Sequence, residues 1–159
     1  RHTGYNRTMK TLLAPLAPLA LLTLLVLSPI AAIAADPPAP LPAIATLVVP
    51  PGPAGATVSG RVTPPQRDLY YVEGTYGQTM TVSVAAAGNA AVFEVYHPAT
   101  TVARSANGQA VITGRTLADA GAADNANAWI GALPGRGLYL IAVASRGGAA
   151  SYTLTVMLQ

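Results

Sequence analysis

Thr79-Met80-Thr81-Val82-Ser83-Val84-Ala85 alternates small hydroxyl-bearing side chains with apolar ones at a period of two. Successive side chains of a strand point to opposite faces, so Met80, Val82 and Val84 line one face and Thr79, Thr81 and Ser83 the other, the pattern of a strand buried on one side. Ser151 to Leu158 repeats it, with Tyr152, Leu154, Val156 and Leu158 on the apolar face. Weaker versions run over 56–62, 68–73, 91–96, 109–114, 128–133 and 138–145. Turn signals separate them, notably Thr75-Tyr-Gly-Gln78, Ala87-Gly-Asn89, Leu133-Pro-Gly-Arg-Gly137 and Arg146-Gly-Gly148. Seven or eight short strands with polar outer faces predict an all-β fold, a single antiparallel β-sandwich. Residues 116–127, rich in Ala, Asp, Asn and Gly, read as a long mobile loop.

Ahead of this domain the composition changes twice. Lys10 is followed by an uncharged apolar run to Ser28 and then by Pro29-Ile-Ala-Ala-Ile-Ala-Ala35. A basic start, an apolar middle and small residues at the last and third-last positions predict a signal peptide over 1–35, cut after Ala34 or Ala35, with Met9 as initiator and residues 1–8 upstream of it. The competing reading is an uncleaved leader, since the run is long enough to span a bilayer; the protein would meet a membrane only in that way. Residues 36–55 hold half of the chain's 14 prolines and read as a semi-rigid extended spacer, within which Ile44 to Val49 could add a short edge strand. Residues 56–159 are left for the sandwich, and the predicted location is the periplasm or the medium.

The formal net charge of +3 is a property of the leader. From Asp36 onward six arginines meet six acids and are scattered, so the concentrated positive face that nucleic acid demands is missing. With no cysteine in the chain, disulfides, thiol catalysis, thiolate metal sites and lipid attachment at a cleavage-site Cys are all excluded.

The residues predict no enzyme, no cofactor and no metal site. His97 is the one histidine after the leader and reads as a surface residue at a strand end, since a catalytic base needs a nucleophile and an orienting group beside it. Glu73 and Glu94 read as solvent-facing strand residues, and the spacing of Asp119, Asp124, Asn125 and Asn127 matches no calcium loop. Among the aromatics, Phe93, Tyr139 and Tyr152 share faces with aliphatic residues and belong to the core, Tyr70 and Tyr71 must point oppositely, and Tyr76 and Tyr96 are the expected exposed pair. Exposed Tyr near Arg is the composition of a binding surface.

Tyr71-Val-Glu-Gly-Thr-Tyr-Gly-Gln-Thr-Met-Thr-Val-Ser-Val84, Val92-Phe-Glu-Val-Tyr-His-Pro98, Trp129 to Val143 and Tyr152-Thr-Leu-Thr-Val156 together resemble the bacterial periplasmic inhibitors of i-type and g-type lysozyme. The resemblance covers 56–159 and implies an exported β-sandwich that inserts a loop into the lysozyme active-site cleft. That family's loop carries Ser-Gly-x-Tyr; the matching positions are Arg136-Gly137-Leu138-Tyr139, with Arg136 in the place of the serine. An Arg could meet the carboxylates of a target through a bidentate charge-assisted pair. The resemblance thus implies a partner-binding set of Arg136, Gly137, Leu138 and Tyr139, assisted by Arg146 from the next turn. Gly-x-Tyr-x-Ile-x-Val followed by Tyr-x-Leu-x-Val also resembles the pre-peptidase C-terminal domains of secreted enzymes. There Tyr139 would be scaffold, and the protein an accessory module binding envelope glycan or protein. Self-association through edge strands stays open as well.

Overall fold

The computed structural model describes residues 43–50 and 52–159. The leader, its cut and the first part of the spacer lie outside the described residues.

Ten strands follow one another: β1 Ile44–Leu47, β2 Gly52–Val62, β3 Asp68–Gly74, β4 Thr79–Ala86, β5 Ala91–Tyr96, β6 Thr101–Arg104, β7 Ala110–Thr113, β8 Ala128–Ala132, β9 Gly137–Ser145 and β10 Ala150–Leu158. A 3-10 turn at Ala87–Asn89 joins β4 to β5. Two four-stranded sheets, ordered β1-β3-β9-β5 and β2-β10-β4-β8, form the sandwich, and β6 and β7 make a separate hairpin. Every pairing is antiparallel except that of β1 with β3, which is parallel. Strand structure therefore reaches into the proline-rich stretch, at the apolar residues 44–47 and again from Gly52.

The alternation read in β4 and β10 is the alternation observed. Met80, Val82 and Val84 meet Tyr152, Leu154, Val156 and Leu158 in the core between the sheets, while Thr79, Thr81 and Ser83 face outward. The opposing sheet contributes Tyr70, Val72, Phe93, Val95, Tyr139, Ile141 and Val143. Removing an aliphatic or aromatic side chain of this size from water stabilises by about 1.5–3 kcal/mol, so this layer dominates the fold.

The first sheet departs from the expected polar outer face. Leu69, Leu140, Ala142 and Tyr96 form a second buried cluster on its outside, roofed by Val102, Ala110 and Ile112 of the β6–β7 hairpin. A strand covered on both faces reads as a continuous apolar run, and Leu138 to Ala144 is one. Glu94 and Tyr96, expected in solvent, lie under this roof: Glu94 is 6% exposed and accepts hydrogen bonds from Arg67 Nη1 at 2.9 Å and from the Tyr96 hydroxyl. Loss of water, then the bond to Glu94 and its charge, push the Tyr96 phenol up to about 12.

Residues 116–127 are a packed segment rather than a free loop. Leu117, Ala120 and Ala126 are buried in the main core. Backbone bonds run along β5 from the His97 amide to Arg115, from the Leu117 amide to Val95, and from the Val95 and Phe93 amides to Ala120 and Ala126, at 2.8–2.9 Å. An edge strand must satisfy its outer donors and acceptors somehow, and this segment takes the place of a fifth strand.

Candidate functional site

The registers place one set of chain reversals at a single end of the sandwich. Gly74 stands opposite Gly137, Thr79 opposite Ala132, and Met80 opposite Leu158. The β3–β4 turn, the β8–β9 loop and the end of β10 therefore form one tip. Three backbone bonds tie the two connections together or close them: the Gly77 amide donates to the Leu133 carbonyl at 3.0 Å, the Leu133 amide to the Gln78 carbonyl at 2.7 Å, and the Gln78 amide to Thr75 at 3.2 Å. The Gln78 side chain also accepts the Thr75 amide at 2.8 Å.

The β8–β9 loop is clamped from within. Tyr139 is fully buried, and its hydroxyl donates to the Gly135 carbonyl at 2.7 Å and accepts the Gly135 amide at 3.2 Å. Gly137 has φ +151° and rests on Pro98; a Cβ there would come within 2.7 Å of the proline ring, so only glycine turns the chain into β9 at this point.

Arg136 projects from the loop with its side chain 79% exposed, and its nearest acidic neighbour is Glu73, Nη2 to Oε1 3.8 Å, also in solvent. Leu138 and Tyr76 stand beside it, the latter 80% exposed at the apex of the β3–β4 turn, and Val48 lies exposed past the end of β1. A cleft of about 370 Å³ opens between this tip and the chain leaving β1, lined by Leu47, Val49, Glu73, Gln78 and Leu138 among others. Charge, an aromatic and aliphatic surface thus converge on a rigid point, the composition that recurs at the centre of protein interfaces.

The residues singled out from sequence separate into three groups. Arg136 and Leu138 are accessible at the tip. Gly137 and Tyr139 shape it from beneath, and Tyr139, being fully buried, cannot touch a partner as expected of it. Arg146 follows the far end of β9, where its amide donates to Ala90 at 2.9 Å. A nine-residue strand at about 3.3 Å per residue sets it roughly 30 Å from Arg136, so one docked surface cannot use both. Tyr76 was visible as an exposed turn aromatic, but only the bonds between Gly77, Gln78 and Leu133 bring its turn beside Arg136. His97 lies at the strand end, its amide engaged with Arg115, and among the described residues no three His, Asp or Glu side chains gather as a metal set.

No family model and no curated protein matches the chain. Among solved structures, it is similar to PliG of Aeromonas hydrophila, a periplasmic lysozyme inhibitor of g-type lysozyme, with 31% identity over 73% of this chain and 97% of that one and a TM-score of 0.48. PliG of Salmonella Typhimurium, described in the same words, is 17% identical over the same shares, with a TM-score of 0.49. The pre-peptidase C-terminal domain of a collagenase from Bacillus anthracis is 16% identical over 72% of this chain and 94% of that one, with a TM-score of 0.43.

Proposed function

The chain belongs to the family of periplasmic lysozyme inhibitors represented by PliG, and on that premise we propose that it is a non-enzymatic exported protein that blocks a lysozyme, g-type first and i-type second, by docking its tip in the active-site cleft. The observation that carries the reading is Arg136: an exposed cationic head on a hydrogen-bonded loop, with one weak, solvent-screened ion pair among the described residues. A muramidase cleft presents carboxylates, and a guanidinium offers them a planar fork of donors. Leu138 and Tyr76 supply exposed apolar area close by, on a loop and a turn whose backbones are already bonded to one another, which limits the backbone entropy lost on docking. Gly137 and Tyr139 act indirectly, by holding the loop's shape.

The test is inhibition of g-, i- and c-type lysozymes by the purified protein. Inhibition of the g-type enzyme, competitive with cell-wall substrate, is the expected result. Full activity of all three classes at high micromolar protein would overturn the reading, and peptidoglycan pull-down without inhibition would favour the accessory-module alternative.

A further inference from the structure

β10 pairs with one side of β2 along its length, and among the described residues no strand pairs with the other. Natural sheets guard such edges with brevity, charge, proline, bulges or a covering segment. The other three edges here are guarded: residues 116–127 cover β5, β1 has four residues, and β8 has five, with its Trp129 indole tied to the Ala118 carbonyl at 2.8 Å. β2 has eleven residues, and from Ala54 to Val62 it contains no proline and a single charge, Arg61. Its ladder with β10 is regular from Ala56 to Val62, the irregularity falling at Val156/Leu158.

The unguarded stretch is complementary to itself. When two copies are laid antiparallel about a twofold axis at Val58, Thr57 faces Ser59 of the second copy, Ala56 faces its Gly60, and Arg61 faces its Gly55. On the outer face, Ser59 already contacts Thr153 at 3.2 Å and Thr57 contacts Thr155 at 3.3 Å through their hydroxyls. The juxtaposition of Thr57 with Ser59 would carry that hydroxyl row unbroken across the seam. Val58, half-buried at the rim of the core, would meet its own copy, and the two arginines would sit at opposite ends, so no like charges oppose each other.

We propose that the protein self-associates as a twofold dimer through β2, merging two four-stranded sheets into one of eight strands. Because the paired strands run in opposite directions, the two tips point away from each other and both Arg136 side chains remain available. This association stands apart from lysozyme inhibition, and either can fail without the other.

Analytical ultracentrifugation of the purified protein reads it directly, with twice the monomer mass expected in the micromolar range and a monomer at every concentration overturning it. Thr57→Lys with Ser59→Lys sets lysine against lysine twice across the seam. Both positions face solvent, so the fold should hold while the dimer dissociation constant rises about tenfold. Thr57→Lys with Ser59→Glu sets lysine against glutamate and should restore the wild-type mass. Equal association of the two double variants would overturn the register. Hydrogen exchange supplies a readout independent of variants: the alternate amides between Ala56 and Gly60 that point away from β10 should slow as wild-type protein is concentrated, and rates that do not change would overturn the proposal.

Discussion

The Tyr139 hydroxyl binds both backbone polar groups of Gly135, its carbonyl at 2.7 Å and its amide at 3.2 Å, from a ring that is wholly inside the sandwich. One side chain thus belongs to the core and sets the shape of the exposed tip. Tyr139→Phe should keep the ring's packing and lose only the two bonds, costing about 1–2 kcal/mol of stability. With the loop freed, inhibition should weaken several-fold in the same protein. A thermal melt and an inhibition titration on one preparation check it; weaker stability with unchanged inhibition would mean that the loop does not need to be held.

Arg136→Ala should leave stability within about 0.5 kcal/mol of wild type, because its pair with Glu73 spans 3.8 Å in solvent. If the guanidinium meets carboxylates in the target cleft, the same change should cost about 2–4 kcal/mol of binding, roughly 30-fold or more. Glu73→Gln removes the competing partner and should tighten binding slightly, chiefly at low salt. Isothermal titration at two ionic strengths distinguishes these effects.

Tyr76→Ala is expected to be silent in a denaturant titration, since its side chain stands in solvent. In the complex it should weaken the interface by about 1–2 kcal/mol, the loss typical of an aromatic near the centre of a contact. Unaltered affinity would place the contact on the Arg136 side of the tip alone.

Arg67→Met should destabilise by about 1–3 kcal/mol even though Arg67 is partly exposed, because it leaves the buried Glu94 carboxylate with the Tyr96 hydroxyl as its remaining partner. Urea midpoints of the two proteins at neutral pH provide the comparison.

Alkali should weaken the fold through the tyrosines. Burial and the Glu94 bond raise the Tyr96 phenol from 10 to about 12, so between those values the folded chain holds a proton that the unfolded chain has released. Stability conferred by this group is complete below pH 10 and is lost as pH rises through about 12. Tyr152 is raised too, by burial and then by its bonds to Asp68 and Tyr70, each 2.6 Å long, and adds to the same decline. Tyr96→Phe should make the alkaline limb of a stability-against-pH curve shallower, with little change in slope near neutrality.

Much of the fold follows from a period of two. The inward rows of β4 and β10 and the core positions of Phe93, Tyr139 and Tyr152 are legible from parity, because a pleated strand permits no other arrangement once one face is apolar. Parity also assigns Glu94 and Tyr96 correctly to the outer face of their sheet. It cannot tell whether that face meets water or a roof. The β6–β7 hairpin, whose first strand Thr101–Arg104 has only four residues and little alternation, decided that, and with it the burial of an ion pair. The same holds for residues 116–127, whose small polar residues suggest a loop but whose Leu117, Ala120 and Ala126 find a place in the core only after β5 offers its edge.

At the candidate site, sequence alone determined that a glycine- and proline-bounded loop would present Arg136 and that a tyrosine would follow two strand positions after Gly137. Only the tertiary structure decided that the Tyr139 hydroxyl clamps Gly135, that Arg146 lies a strand's length away and that Tyr76 joins the tip. The physical reason is one of range. Side-chain alternation is set by local backbone geometry, whereas proximity of two turns depends on strand register and on which sheet each strand enters, and these are settled by the burial of the whole core at once.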